Sequence, residues 1–295
     1  MPLWEVVVSG LMVGAIYGLV SIGLTLIFGV LRMINFAHGH FLMVAMYLTF
    51  WLNHLLGLDP YLSVFIVAPL LFGFGLLVQR VLLQPTLGKV GASMTQTFVT
   101  LGLTVILQNS ALALFSADYR SVRTPYSSSG IEFLGARISV PRLVIFAVTI
   151  GIAVALHLFL KQTYLGKAIR ATVENARAAQ VMGVNVNRVY LVTFALGSAI
   201  VGAAGALLMP VYYVFPRLGL DFVMIAFIVS VLGGLGSVPG AIVAGFLIGV
   251  IETISGFLIS SAWKQAVYFV LFILVLIFRP AGLFGIRGAE EVGLK

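Results

Sequence analysis

Apolar runs about as long as a bilayer is thick recur along this chain, and they constrain its fold more than any motif does. A helical span needs about 20 mainly apolar residues. About nine stretches meet that measure, at 8–31, 36–56, 61–82, 94–116, 141–160, 190–213, 221–236, 239–261 and 264–279. Within hydrocarbon every backbone N–H and C=O must find its partner inside the segment, so runs of this kind fold as helices. Of the 295 residues 61% are hydrophobic and 9% charged, against about 45–50% and roughly 25% in a soluble domain. The reading is an all-α polytopic membrane bundle of about eight to nine spans with broken helices. It forms a single transmembrane domain over 1–295, with a cytoplasmic loop at 161–189 and an external loop at 117–140. Its 32 glycines suit helices that approach closely in lipid.

The net charge of +8 is explained by Lys and Arg held on the cytoplasmic side, and no nucleic-acid partner is expected. There is no cysteine, which excludes disulfides, thiolate metal sites and a cysteine nucleophile. MPLWEVVVSG lacks a basic leader and carries Glu5, so the first run is expected to stay as a span rather than be cleaved. If Lys161–Arg188 is cytoplasmic, alternation also puts Arg32, Arg80, Lys89, Arg279, Arg287 and Lys295 inside. Arg120, Arg123, Arg137, Arg142, Arg217 and Lys264 then lie outside. This arrangement favours N-terminus out and C-terminus in. The external segment 117–140 suits a small ordered cap or a plain connector.

Polarity is concentrated in one place, Lys161–Arg188. Lys167, Arg170, Glu174 and Arg177 fall three or four residues apart, so one helix would align them on one face, opposite Ile169, Val173, Ala176 and Gln180. Gly183 marks the expected helix end. The segment reads as an amphipathic surface helix, serving either as a soluble connector or as a dock for a cytoplasmic partner.

Two polar interruptions resemble each other, RMINFAHG at Arg32–Gly39 and GGLGSVPG at Gly233–Gly240. Paired breaks of this sort mark a transport pathway built from broken helices, although each also suits a tight turn between spans. Candidate pathway residues are Asn35, His38, Gly236, Ser237, Gly240 and Glu252. Glu252, within LIGVIETISG, is an ionisable group inside a span. It suits either a proton carrier or a carboxyl bonded to a neighbouring helix. No GxSxG, HExxH or GxxxxGK[ST] occurs, so no catalytic site, metal site or nucleotide cradle is expected. Any ATP hydrolysis belongs to another subunit.

MINFAHG at Met33–Gly39, VLGGLGSVPG at Val231–Gly240 with Glu252 downstream, and RPAGLFG at Arg279–Gly285 together resemble the LivH-type permeases of branched-chain amino-acid ABC importers. GKAIRA at Gly166–Ala171 and GVNVNRV at Gly183–Val189 add to the match, which runs from about Gly10 to Gly285. The resemblance implies a multi-pass permease of the bacterial inner membrane. Its implied partners are a second homologous permease, two cytoplasmic ATPases that bind the ATP and Mg, a periplasmic solute-binding protein, and lipid. No cofactor is expected in this chain. It also implies that 161–189 couples to an ATPase, with Ala178–Gly183 resembling an AAxxxG core and Arg170, Glu174, Arg177, Ala178, Ala179 and Gly183 as coupling residues. Arg177 stands where an acid is usual, and His40 where the amino-acid permeases tend to carry an acid. Relatives of this architecture import urea, short amides or small organic acids, which keeps those solutes as alternatives. A stand-alone proton-coupled carrier using Glu252 and His38 is the competing class.

Overall fold

The computed structural model describes residues 3–127, 129–133, 136–260 and 263–285. Every expected apolar run is a helix. These are α1 (Leu3–Leu31), α2 (His38–Leu56), α3 (Pro60–Val78), α4 (Ala92–Phe115), α5 (Val140–Gln162), α8 (Val186–Leu208), α9 (Leu218–Gly233), α10 (Val238–Leu258) and α11 (Lys264–Phe278). Between α5 and α8 lie two short helices, α6 (Tyr164–Glu174) and α7 (Ala176–Val181). Among the described residues six helices are long and apolar enough to cross a membrane, α9 and α11 are shorter apolar helices, and α2 is mixed in polarity because it carries His38, His40, Asn53 and His54. One departure from an all-helical chain is an antiparallel hairpin, β1 (Gly130–Phe133) with β2 (Ala136–Ser139). Alternation over so few residues between two spans left no readable strand signal.

Lipid tails are as apolar as leucine, so burial from water does not hold membrane helices together; close packing and polar bridges do. The centre shows both. α1 is buried along most of its length and runs antiparallel to α10 with glycines at the contact: a Cβ on Gly14 would stand 2.6 Å from Phe246 Cα, and Gly10 and Gly18 meet Val250 and Ile242 in the same way. Thr25 Oγ1 donates to Ser230 Oγ at 2.9 Å, joining α1 to α9. Thr149 Oγ1 donates to Ile145 O within α5 and lies 3.3 Å from Ala15 O of α1. Phe41 of α2 meets Phe74 of α3 and Phe194 of α8 edge to face, at 5.2 and 6.1 Å.

Contacts between distant segments sort the two ends of the bundle. At one end Arg32 Nη2 donates to Val173 O in α6 at 3.1 Å, and Ser93 Oγ donates to Arg32 O at 2.8 Å. Arg32 therefore shares an end with the polar loop, as its charge led us to expect. At the other end Arg120 and Val214 exchange backbone hydrogen bonds of 3.0 and 2.8 Å, and the Arg120 guanidinium lies over Phe50 and Trp51. Arg287 and Lys295 lie outside the described residues.

The segment after α4 is tied back to α3 through Tyr126. Asp59 caps α3, accepting from Tyr61 N at 2.8 Å, and its second oxygen accepts from Tyr126 Oη at 2.7 Å. Partial burial, and then this bond to a carboxylate, push the Tyr126 phenol above its ordinary value of 10.0. A raised phenol pKa favours the folded state while the proton is on. The contribution is therefore whole below about pH 10 and is lost as pH rises toward the folded value. Scanning the unfolding midpoint from about pH 8 to about pH 11 should show a steeper alkaline fall for wild type than for Tyr126→Phe. Parallel curves would remove the Tyr126–Asp59 bond from the account.

Candidate functional site

Three side-chain caps shape the polar loop. Thr163 Oγ1 accepts from Gly166 N at 2.9 Å and starts α6, Asn175 Oδ1 accepts from Ala178 N at 2.9 Å and starts α7, and Asn185 Oδ1 accepts from Arg188 N at 3.0 Å and starts α8. Each cap satisfies a helix-start N–H that would otherwise lack a partner. The middle one corrects the single-helix reading. Asn175 takes an extended conformation, φ −154° and ψ 102°, so the chain bends between Glu174 and Ala176 and the expected stripes do not continue across it. Ile169 is buried and Val173 half-buried, whereas Gln180, expected on their face, is exposed. The sign of the break was legible, since an Asn ahead of a helix-forming run is a common cap.

Arg170, Glu174, Arg177, Ala178 and Gly183 are exposed; Ala179 is buried. Its burial shows which side of α7 rests on the protein. The outward side consists of Arg177, Ala178, Gln180 and Val181. Val181 and Met182 are 87% and 82% exposed, an apolar tip beyond the charged flank. Gly183 then turns the chain with φ 84°, in the left-handed region open to glycine.

The two interruptions are not equivalents, which corrects the paired-break expectation. After Leu31 the chain turns back along α1, and His38 Nε2 lies 2.9 Å from Val20 O, eleven residues or about 16 Å before the end of α1. The carbonyl accepts, so Nε2 carries the hydrogen. The second interruption is a tight turn at the end of the bundle: Gly234 and Gly236 have φ 101° and 90°, and Ser237 Oγ accepts from Gly240 N at 3.2 Å to start α10. Gly236 faces Gly29, and Gly240 faces Gly233. The first interruption descends beside α1 because Asn35 Oδ1 accepts from Ala37 N at 3.1 Å, turning the chain into α2. Asn35 and His38 are fully buried, and Asn35 Nδ2 and His38 Nδ1 have no partner. The ring of His40 packs on Gly219, in the first turn of α9.

Glu252 Oε2 accepts from Tyr17 Oη at 2.6 Å, linking α10 to α1. Tyr17 also lines a recess of about 280 Å³ that opens beside Tyr119, Tyr212, Tyr213, Phe215 and Asp221. Of the expected pathway residues, then, only Glu252 is tied to this recess, through Tyr17; Asn35 and His38 sit in the first interruption and Gly236, Ser237 and Gly240 in the second. Asp221 and the tyrosines escaped the sequence reading. Asp221 began an expected span and so was taken as its edge, although the argument made for Glu252 applied equally to it. Among the described residues no three His, Cys, Asp or Glu side chains converge to hold a metal ion.

Comparison with known proteins adds an independent line. The family described as "Branched-chain amino acid transport system / permease component" matches residues 6–276. The high-affinity branched-chain amino acid transport system permease protein BraD of Pseudomonas aeruginosa is 34% identical, covering 97% of this chain and 96% of its own. The corresponding protein LivH of Escherichia coli is 32% identical, covering 96% of each. The probable branched-chain amino acid transport permease LivH of Methanocaldococcus jannaschii is 28% identical over 91% of this chain and 88% of its own.

Proposed function

Because the chain belongs to the family of permease components of branched-chain amino acid transport systems, we propose that it forms part of the membrane path of an ATP-driven importer of those amino acids. It is a multi-pass inner-membrane protein and a transport subunit. The observation that carries the mechanism is the polar loop: two capped helices on the Arg32 end of the bundle, ending in an exposed apolar tip. A connector kept soluble by charge has no use for an exposed Val–Met pair, whereas a docking helix does. In this reading α7 inserts into a cytoplasmic ATPase that binds ATP and Mg. Arg170, Glu174, Arg177, Ala178 and Gly183 flank the contact, and Ala179 holds the helix to its own subunit. Movement of α6 and α7 then acts on α1 through Arg32 and on α5 and α8 through the chain itself.

The remaining partners in this reading are a second homologous permease and a periplasmic binding protein docked on the external face, beside the 117–140 loop. All nine apolar helices cross the bilayer, α9 over its thinner extent, with the N-terminus outside and the whole of 1–295 as one domain. Asn35, His38, Gly236, Ser237, Gly240 and Glu252 stand as proposed pathway residues. Asn35 and His38 have the strongest support, as buried polar groups with unused hydrogen-bonding capacity. Reconstitution tests the proposal. Liposomes carrying this chain and its partner permease should not accumulate labelled leucine until the ATPases, ATP and the binding protein are added. Accumulation by the chain alone, driven by a proton gradient, would replace the importer with a carrier.

A further inference from the structure

Resting on that reading, we propose that the recess between α1, α9 and Tyr119 is a solute subsite in which Asp221 receives the ammonium group of an amino acid. Four observations converge on it. Its volume, about 280 Å³, sits at the lower limit of sites for drug-sized ligands, about 300 Å³, which suits a small solute. Its lining is mixed in character. Asp221 and the tyrosines Tyr17, Tyr119 and Tyr212 share it with the apolar Phe215, Leu218, Phe222 and Ile225, and the two kinds are interleaved, Tyr119 lying against Phe215 and Tyr212 against Phe222. The Asp221 carboxylate has no hydrogen bond among the described residues, and it sits in the first turn of α9. No basic side chain lines the recess; Arg217, one turn earlier in the chain, stands outside the lining and acts on Asp221 electrostatically.

These features select by charge and shape together. A carboxylate without a hydrogen bond, set among tyrosine rings, attracts a cation through direct charge pairing and through the negative faces of the rings, in competition with Arg217. It repels a solute that is only anionic. A branched aliphatic side chain finds Leu218, Phe222 and Ile225 beside the carboxylate, so the recess matches a molecule that carries an ammonium group close to a short hydrocarbon. The recess lies on the Arg120 end, since Tyr119 and Tyr213 adjoin the Arg120–Val214 bridge. Tyr17 is part of its wall, and the Tyr17 hydroxyl donates to Glu252, so Glu252 acts there as a positioning residue for the tyrosine.

The chain has no cysteine, which makes a direct test clean. Tyr213 lines the recess and is 60% exposed, so in Tyr213→Cys it becomes the single thiol. A soluble maleimide should label it in the assembled transporter, and a lack of labelling would overturn the placement of the recess. Leucine and isopentylamine, which keeps the ammonium group alone, should each slow labelling at least about threefold. 4-Methylpentanoate, which keeps only the carboxylate, should not slow it. Adding Asp221→Asn should abolish the protection and Asp221→Glu should retain it. Equal protection by the acid, or protection that survives Asp221→Asn, overturns the proposal. Uptake separates this failure from failure of the functional reading. If the unaltered transporter imports leucine and Asp221→Asn imports it with the same KM and rate, only the subsite falls. If the unaltered transporter imports no leucine, the importer reading falls with it.

Discussion

Replacing Val181 and Met182 together by aspartate is expected to stop ATP-driven uptake while leaving the permease folded. Both side chains are more than four-fifths exposed, so their removal subtracts nothing from the packing of this subunit. A buried apolar anchor at an interface contributes about 1–2 kcal/mol or more, and each 1.4 kcal/mol is about tenfold in affinity. Losing two anchors and burying two charges should weaken ATPase docking by about a hundredfold or more. The check has two parts. Co-purification of the ATPase with the permease should fail, and the unfolding midpoint of the permease should match that of wild type. Retained uptake at the wild-type rate would remove α7 from the docking surface. Substitution of the buried Ala179 by Leu is the complementary case: it should lower the midpoint itself, because Ala179 faces its own subunit.

Gly14→Leu should have the larger effect on the fold. Its Cβ would stand 2.6 Å from Phe246 Cα and 2.7 Å from Gly245 O. Both are backbone atoms with no rotamer through which to yield. α1 and α10 must separate along their length, and overpacking of this kind costs about 1–3 kcal/mol or more. In lipid no compensating burial from water draws the helices back. The expected result is a detergent-solubilised protein that unfolds several degrees lower or fails to accumulate. Gly151→Leu in α5 is the control, because a Cβ there meets nothing within 4 Å. Equal midpoints for Gly14→Leu and wild type would show that the α1–α10 contact is not close in the membrane.

The helices were legible to within a few residues, because a bilayer imposes both length and composition on any segment that crosses it. Helix ends in the polar loop were less so. There the outcome turns on one side chain, Asn175, whose cap outweighs the continued helical periodicity on either side. The two interruptions looked alike as strings of small and polar residues. They differ because the first is drawn back beside α1 by contacts of His38 and Asn35, whereas the second only turns a corner between α9 and α10. Glu252 stood out as a charge amid apolar residues, but its partner Tyr17 lies 235 positions away in the chain, beyond the reach of any local pattern. Asp221 was visible as a residue but not as part of a recess, since that recess is assembled from the middle of α1, Tyr119, the connection between α8 and α9, and α9 itself.

By itself the amino-acid order determined that this is a helical membrane protein and where its polar loop lies. These follow from local terms, the transfer of apolar groups into hydrocarbon and the placement of Lys and Arg, which each segment meets on its own. Only the tertiary structure decided which face of α7 is free, where the first interruption leads, and that Tyr17, Glu252 and Asp221 belong to one neighbourhood. Those outcomes depend on backbones meeting at glycine contacts such as Gly14 with Phe246. Which helices meet there is a property of the packed bundle and not of any one run.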